Sequence, residues 1–288
     1  QNTDPRVRQA TQTWMQQGST VDASSLGFGD GGTIAIWSDP NNPSGGTIAE
    51  GVFLARGGAV AGDGGRIETS GAYLLAQPQA VDVSAIKGSA GEWLLDPYNI
   101  TIGYETGTIF PDPSKASNSS VLFESTSSSS AIDTRTLEKS LVNYNNVRIL
   151  TGAGDSSQEG NIIWEADADL DYSSASTSLT LDAAGSIELN SNITTGSGGL
   201  ALNAAEGFAE ASNQITLNLS GPLKIATGDS TIGIAGLRAP AFAATLAGDG
   251  NLIKSGTGRL ILSGNSSSWT GITVVESGAL RVTGENAL

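Results

Sequence analysis

The chain of 288 residues carries 38 glycines and neither Cys nor His, which removes thiol nucleophiles, imidazole bases, disulfide staples, structural zinc and haem ligation from its chemistry. A net charge of −15 repels nucleic acid and anionic membrane surfaces and favours cations or basic patches as partners. With 38% hydrophobic and 15% charged residues the chain is too apolar for disorder, yet no apolar run reaches the roughly 18 residues of a membrane span, so membrane insertion is not expected.

Gln1 to Arg8 shows no signal-peptide pattern. Next, Gly29-Asp30-Gly31-Gly32-Thr33-Ile34 recurs 33 residues on as Gly62-Asp63-Gly64-Gly65-Arg66-Ile67, each time a glycine turn running into a strand-like segment. A looser echo pairs Val21-Asp22-Ala23-Ser24 with Val81-Asp82-Val83-Ser84, each followed by a Trp (Trp37, Trp93) and Asp-Pro (Asp39-Pro40, Asp96-Pro97). The first hundred residues read as stacked copies of related units.

Residues 112–130 are rich in Pro, Ser and Asn and read as a loop or insertion. From Asp133 to Val142, an N-cap Asp with Leu137 and Leu141 at i, i+4 predicts a short helix leading into a strand at Val147 to Thr151. Beyond it, period-two alternation marks Leu179/Leu181, Ile187/Leu189, Leu200/Leu202, Ile215/Leu217/Leu219, Leu223/Ile225, Leu260/Leu262, Ile272/Val274 and Leu280/Val282, each run setting its aliphatics on one strand face. Short strands separated by Gly turns suit an antiparallel sandwich or a solenoid; copies in fixed register favour the solenoid.

The succession from Gly31-Gly32-Thr33-Ile34-Ala35-Ile36-Trp37-Ser38 through Gly62-Asp63-Gly64-Gly65-Arg66-Ile67-Glu68-Thr69 to Gly91-Glu92-Trp93-Leu94-Leu95-Asp96-Pro97 resembles the filamentous-haemagglutinin-like exoproteins of two-partner secretion. The tail, Gly248-Asp249-Gly250-Asn251-Leu252-Ile253-Lys254-Ser255-Gly256 through Ser277-Gly278-Ala279-Leu280-Arg281-Val282, resembles the passenger-associated β-strand repeat of autotransporters. Both resemblances imply a right-handed parallel β-helix, all-β apart from the short helix near 133–142, exported through an outer-membrane transporter and displayed at, or released from, a Gram-negative surface. The secretion domain of such exoproteins, with its Asn-Pro-Asn motifs, has no counterpart beyond Asp39-Pro40-Asn41-Asn42-Pro43. The chain therefore reads as an internal or C-terminal section of a passenger. Its expected divisions are 1–102 as Gly-rich repeats, 103–130 as insertion, 131–235 as continuation with the helix, and 236–288 as passenger-repeat rungs. Rungs of roughly 20 to 30 residues predict about 10 to 14 turns and a rod near 50 to 65 Å.

Candidate sites are few. Glu165, Asp167, Asp169 and Asp171 share one parity and, on a strand, line one face, where hard cations such as Ca2+ find clustered carboxylates; the competing reading is a solvated edge-protecting face. Trp37, Trp93, Trp164 and Trp269 suit either sugar stacking or core packing. Asn99, Asn118, Asn192, Asn218 and Asn265 begin Asn-x-Ser/Thr sequons, a pattern that arises by chance in so Asn- and Ser-rich a chain. The 14 basic residues are scattered, unlike the grooved Asp/Lys/Arg clusters of β-helical polysaccharide lyases or hydrolases, so no catalytic residue is assigned and the chain is read as no enzyme. The expectation is an adhesin or matrix rod with a surface glycan or protein receptor. The rivals are a structural stalk or self-associating fibre and, more remotely, a polysaccharide-active enzyme.

Overall fold

Alternating aliphatics need somewhere to bury one face, and here they bury it against the next turn of the same chain. The computed structural model describes residues 9–39, 42, 45–104, 130–152, 159–209, 215–227, 241–242 and 244–283. Every strand pair is parallel, and strands three apart in chain order become neighbours, which makes the chain a parallel β-helix with three strand faces. The third face is unbroken: Thr33–Trp37, Arg66–Ser70, Glu92–Asp96, Asn146–Leu150, Leu179–Ala183, Leu200–Ala204, Leu223–Thr227, Leu252–Ser255 and Thr273–Val275 stack as nine strands. At about 4.8 Å per strand this sheet spans about 40 Å. The first rungs spend more residues on their corners than the later ones: Asp30 and Asp63 sit 33 residues apart in equivalent corners, whereas Asn251 and Ile272 sit only 21 apart.

Register turns alternation into interior columns. Ile34, Ile67, Trp93, Val147, Leu179, Leu200, Leu223 and Leu252 stand in one line of the third face, and Leu95, Ile149, Leu181, Leu202 and Ile225 in the next. All are buried in a single core. Two corners explain the repeats. Asp22 and Asp82 each accept a hydrogen bond from the backbone N–H two residues on, at Ser24 (2.8 Å) and Ser84 (3.0 Å), so the Val-Asp-x-Ser echo is an Asx turn that ends a strand. The Ser24 hydrogen bonds hold the Asp22 carboxyl below its ordinary value. In the Gly-Asp-Gly-Gly corners, Asp30 accepts from the Asp63 N–H (2.8 Å) and Asp63 from the Ser89 N–H (2.7 Å). A Cβ on Gly64 would lie 1.8 Å from the Val83 carbonyl oxygen, so rung-to-rung contact excludes any side chain there.

The helix Thr134–Val142 forms as the sequence predicts, capped by Asp133, which accepts from the Arg135 N–H. Its placement is less obvious. It takes the position of a second-face strand, between Ala80–Asp82 and Leu170–Asp171, burying Leu137 and Leu141. Replacing a strand by a helix orphans the sheet edge beside it, and the buried Asn145 amide repairs that edge. It accepts from the Val83 N–H (2.8 Å) and donates to the Val81 carbonyl (2.8 Å), as a strand would. Just before the helix, Ser130–Asp133 inserts between Tyr73–Ala76 and Ile100–Gly103, so the first face runs out of chain order at that rung. The segment between, most of the expected 103–130 insertion, lies outside the described residues, as does the expected 235/236 division.

Two parity expectations are corrected. Residues 164–172 are not one strand: Ile162–Trp164 ends at a turn with Asp167 at a φ of 60°, and Leu170–Asp171 begins a different face. Ile272 and Val274 point outward, because Leu252 pairs with Thr273 and Ile253 with Val274, which reverses the parity of that run.

Candidate functional site

The outward positions of the third face bring scattered residues together. Over the first four rungs one column reads Ala35, Glu68, Leu94 and Arg148; beside it stand Trp37, Ser70 and Asp96, and on the other side Thr33, Arg66, Glu92 and Asn146. Arg66 lies 3.8 Å from Glu68 and 3.7 Å from Glu92, Ser70 donates to Glu68 (2.9 Å), and Arg148 pairs with Asp182 one rung on. Two of the basic residues that look dispersed in the sequence, Arg66 and Arg148, thus stand among carboxylates on one face. That gathering comes from stacking, since neighbours across these four rungs are 26 to 54 residues apart in the chain and no local motif announces it.

Each edge of this face carries a recess. At the N-terminal edge, stacked glycine corners leave an open trough of about 600 Å3 lined by Asp30, Thr33, Arg66, Glu92, Asn146 and Ser178 among others. At the C-terminal edge a narrower cavity of about 70 Å3 is lined by Trp37, Tyr98, Pro97, Glu68, Ser70 and Asp96 with neighbouring backbone and Gln9. Burial pushes the Asp96 carboxyl up to about 6, and the charge of Glu68 adds to the rise against the weaker pull of cationic groups, among the described residues Arg148 and Arg66. The Trp37 indole Nε1 is buried without a hydrogen-bond partner. The other three indoles named from the sequence are structural: Trp93 and Trp164 are fully buried and donate to Thr69 Oγ1 and the Ala168 carbonyl, and Trp269 donates to the Gly250 carbonyl.

The carboxylates picked out for Ca2+ are all exposed but are not brought together. Asp169 accepts from the Asn192 N–H and side-chain amide, Asp171 forms the same Asx corner with Ser173 as Asp22 does with Ser24, and Glu165 and Asp167 flank the turn that separates their strands. Among the described residues no three acidic groups are placed to share a metal ion. The sequon residues Asn99, Asn192 and Asn265 spend their side-chain oxygens on backbone N–H groups, Asn218 is exposed, and Asn118 lies outside the described residues. Sequence reasoning missed Asp96 and Glu68; the available signal was the Trp/Asp-Pro echo, which set Trp37 and Asp96 in equivalent stretches two rungs apart.

Residues 252–282 match the family described as passenger-associated-transport-repeat. The match spans the last strands of the third face and the final first-face pair Arg259–Leu262 and Ala279–Val282. None of the curated proteins matches the chain.

Proposed function

We infer from the transport repeat at residues 252–282 that the rod is a secreted or surface-displayed protein of the Gram-negative passenger type. We propose that it acts as an adhesin: a non-catalytic rod, delivered through an outer-membrane transporter, that binds a partner surface with the outer face of its first four rungs. The observation that carries this reading is the concentration of charged and recessed features on that face. The open trough, the narrow cavity and the Arg66–Glu68–Glu92 lattice lie within four neighbouring strands. Stacked backbone holds these groups in place before binding, which lowers the ordering cost of association. Beads coated with the 288-residue chain are expected to adhere to host or bacterial cells, and replacing Arg66, Glu68 and Glu92 together by Gln is expected to abolish adhesion. Equal adhesion by both would refute the assignment.

A second reading has one specific observation behind it. Ile272, Val274 and Val275 are exposed together on the outer surface, an apolar patch of the kind a contact between copies of the rod requires. Concentration-dependent assembly that Val274→Lys blocks would support that stalk or fibre role. Two carboxylates in one recess also invite comparison with glycosidases, but a 70 Å3 cavity, about two water volumes, cannot seat a sugar ring between them.

A further inference from the structure

The cavity at the C-terminal edge of this face has a definite chemical character. Its walls are two aromatic rings, Trp37 and Tyr98, and its polar lining includes the carboxylates of Glu68 and Asp96 from adjacent strands. Glu68 is tied to Arg66 and Ser70, whereas among the described residues no ion pair reaches Asp96. On the surrounding face the carboxylates of Glu68, Glu92, Asp96 and Asp182 meet the guanidinium groups of Arg66 and Arg148, leaving negative charge in excess. Aromatic faces beside the Asp96 carboxylate, with the paired Glu68 next to it, attract a cation.

Size then selects which cation. At about 70 Å3 the cavity accepts the end of a slender chain. An amino sugar carries its nitrogen directly on the ring and would have to bring the ring in with it, and a guanidinium is a broad plane. A lysine side chain presents a compact ammonium on a flexible four-carbon stem. We propose that the Trp37–Tyr98–Asp96 cavity is a lysine-binding pocket through which the rod grips a basic protein surface. The ammonium sits against Asp96 and Glu68 with the adjoining methylene beside the aromatic residues, and the rest of the stem stays outside the cavity. The proposal rests on the adhesion reading above and names its partner class; the net charge of −15 steers such a partner toward the rod.

The pocket has a pH signature. Asp96 must be ionised to bind, and its carboxyl is raised to about 6. The charged groups facing it from the packed strands are Glu68, Arg66 and Arg148. Binding is therefore full above pH 7 and falls about tenfold by pH 5, where roughly nine-tenths of Asp96 is protonated.

The test is an NMR titration of the full chain with Nα-acetyl-lysine methylamide, read at the indole N–H signals. Glucosamine and Nα-acetyl-arginine methylamide serve as comparators, and bead adhesion is measured in parallel. The expected result is that the lysine probe shifts the Trp37 indole and binds at least tenfold tighter than either comparator. Its affinity should drop about tenfold from pH 7 to pH 5, and Asp96→Asn should bind weakly with no pH dependence. Glu68→Gln, which leaves Asp96 in place, should weaken binding several-fold at pH 7 and keep the loss at acid pH with its midpoint moved lower, because the charge of Glu68 helps raise the Asp96 carboxyl. Retained indole dispersion should confirm that both variants are folded. Equal affinity for wild type and Asp96→Asn, or preference for glucosamine, overturns the pocket. Adhesion that persists without lysine binding overturns the pocket alone, and lysine binding without adhesion overturns the adhesion reading alone.

Discussion

Along the nine-stranded sheet, the first four rungs and the later ones share an interior and differ outside. Inward, Ile67, Trp93 and Val147 run into Leu179, Leu200 and Leu223 without a slip in register. Outward, the column that reads Glu68, Leu94 and Arg148 early continues as Thr180, Ala201, Lys224 and Ile253. The early rungs also take more chain, with equivalent corner residues 33, 26 and 32 apart, against 21 to 23 at several later corners. The interior of a solenoid asks only for an aliphatic of suitable size at each step, so it can repeat. Individuality is left to the outer face and to the corners, where extra residues cost little packing.

That contrast can be broken most forcefully from inside. Leu202 is fully buried between Leu181 and Ile225 in its column, so Leu202→Ala should cost about 3 kcal/mol in denaturant unfolding. The neighbouring outward Ala201→Ser should stay within about 0.5 kcal/mol. Asn145→Ala should rank next. It removes the amide that completes the sheet edge beside the helix and strands the Val83 N–H and Val81 carbonyl, at a cost of about 2 kcal/mol and with faster hydrogen exchange at Val83.

The outer face is predicted to behave oppositely. The Asp96 carboxyl is raised on folding from an ordinary value near 4 to about 6, so the folded state holds a proton that the unfolded state has released across that window. Stability contributed by this group is present below about pH 4 and lost as pH rises through 6. Asp96→Asn should therefore match the wild type at pH 4 and exceed it by about 1 kcal/mol at pH 7.5, allowing for partial solvent screening. A destabilised Asp96→Asn at pH 7.5 would show the carboxylate to be structural. The smallest effect is expected at Arg148→Ala, whose partly exposed pair with Asp182 is worth under about 1 kcal/mol in thermal melts.

How much of this was legible in the sequence follows from how local each feature is. The helix was readable because Asp133, Leu137 and Leu141 lie within three turns of one another, and the 33-residue Gly-Asp-Gly-Gly echo marked a rung directly. Local signals could not reveal that Ser130–Asp133 slots back between two earlier strands, since that depends on pairing with residues 30 and 56 positions away. The same limit hid the pocket, whose Trp37, Glu68 and Asp96 come from three rungs. Parity failed where its context changed. Lys254 occupies an aliphatic column beside Ile225, and its burial pushes the ammonium below its ordinary value while Nζ donates to the Gly256 (3.1 Å) and Ser277 (3.4 Å) carbonyls. The acidic run at 165–171 alternates perfectly, but the turn at Asp167 breaks it between two faces.

The central claim is that the outer face of the early rungs, and not the rod as a whole, does the binding. Its most direct test is to neutralise two matched patches and compare adhesion of coated beads to cells. One variant carries Arg66→Gln, Glu68→Gln and Glu92→Gln; the other carries Thr180→Ser, Ala201→Ser and Lys224→Gln on the later rungs. Adhesion lost in the first and retained in the second is the predicted result. Equal adhesion by the two variants, or loss confined to the second, would contradict it.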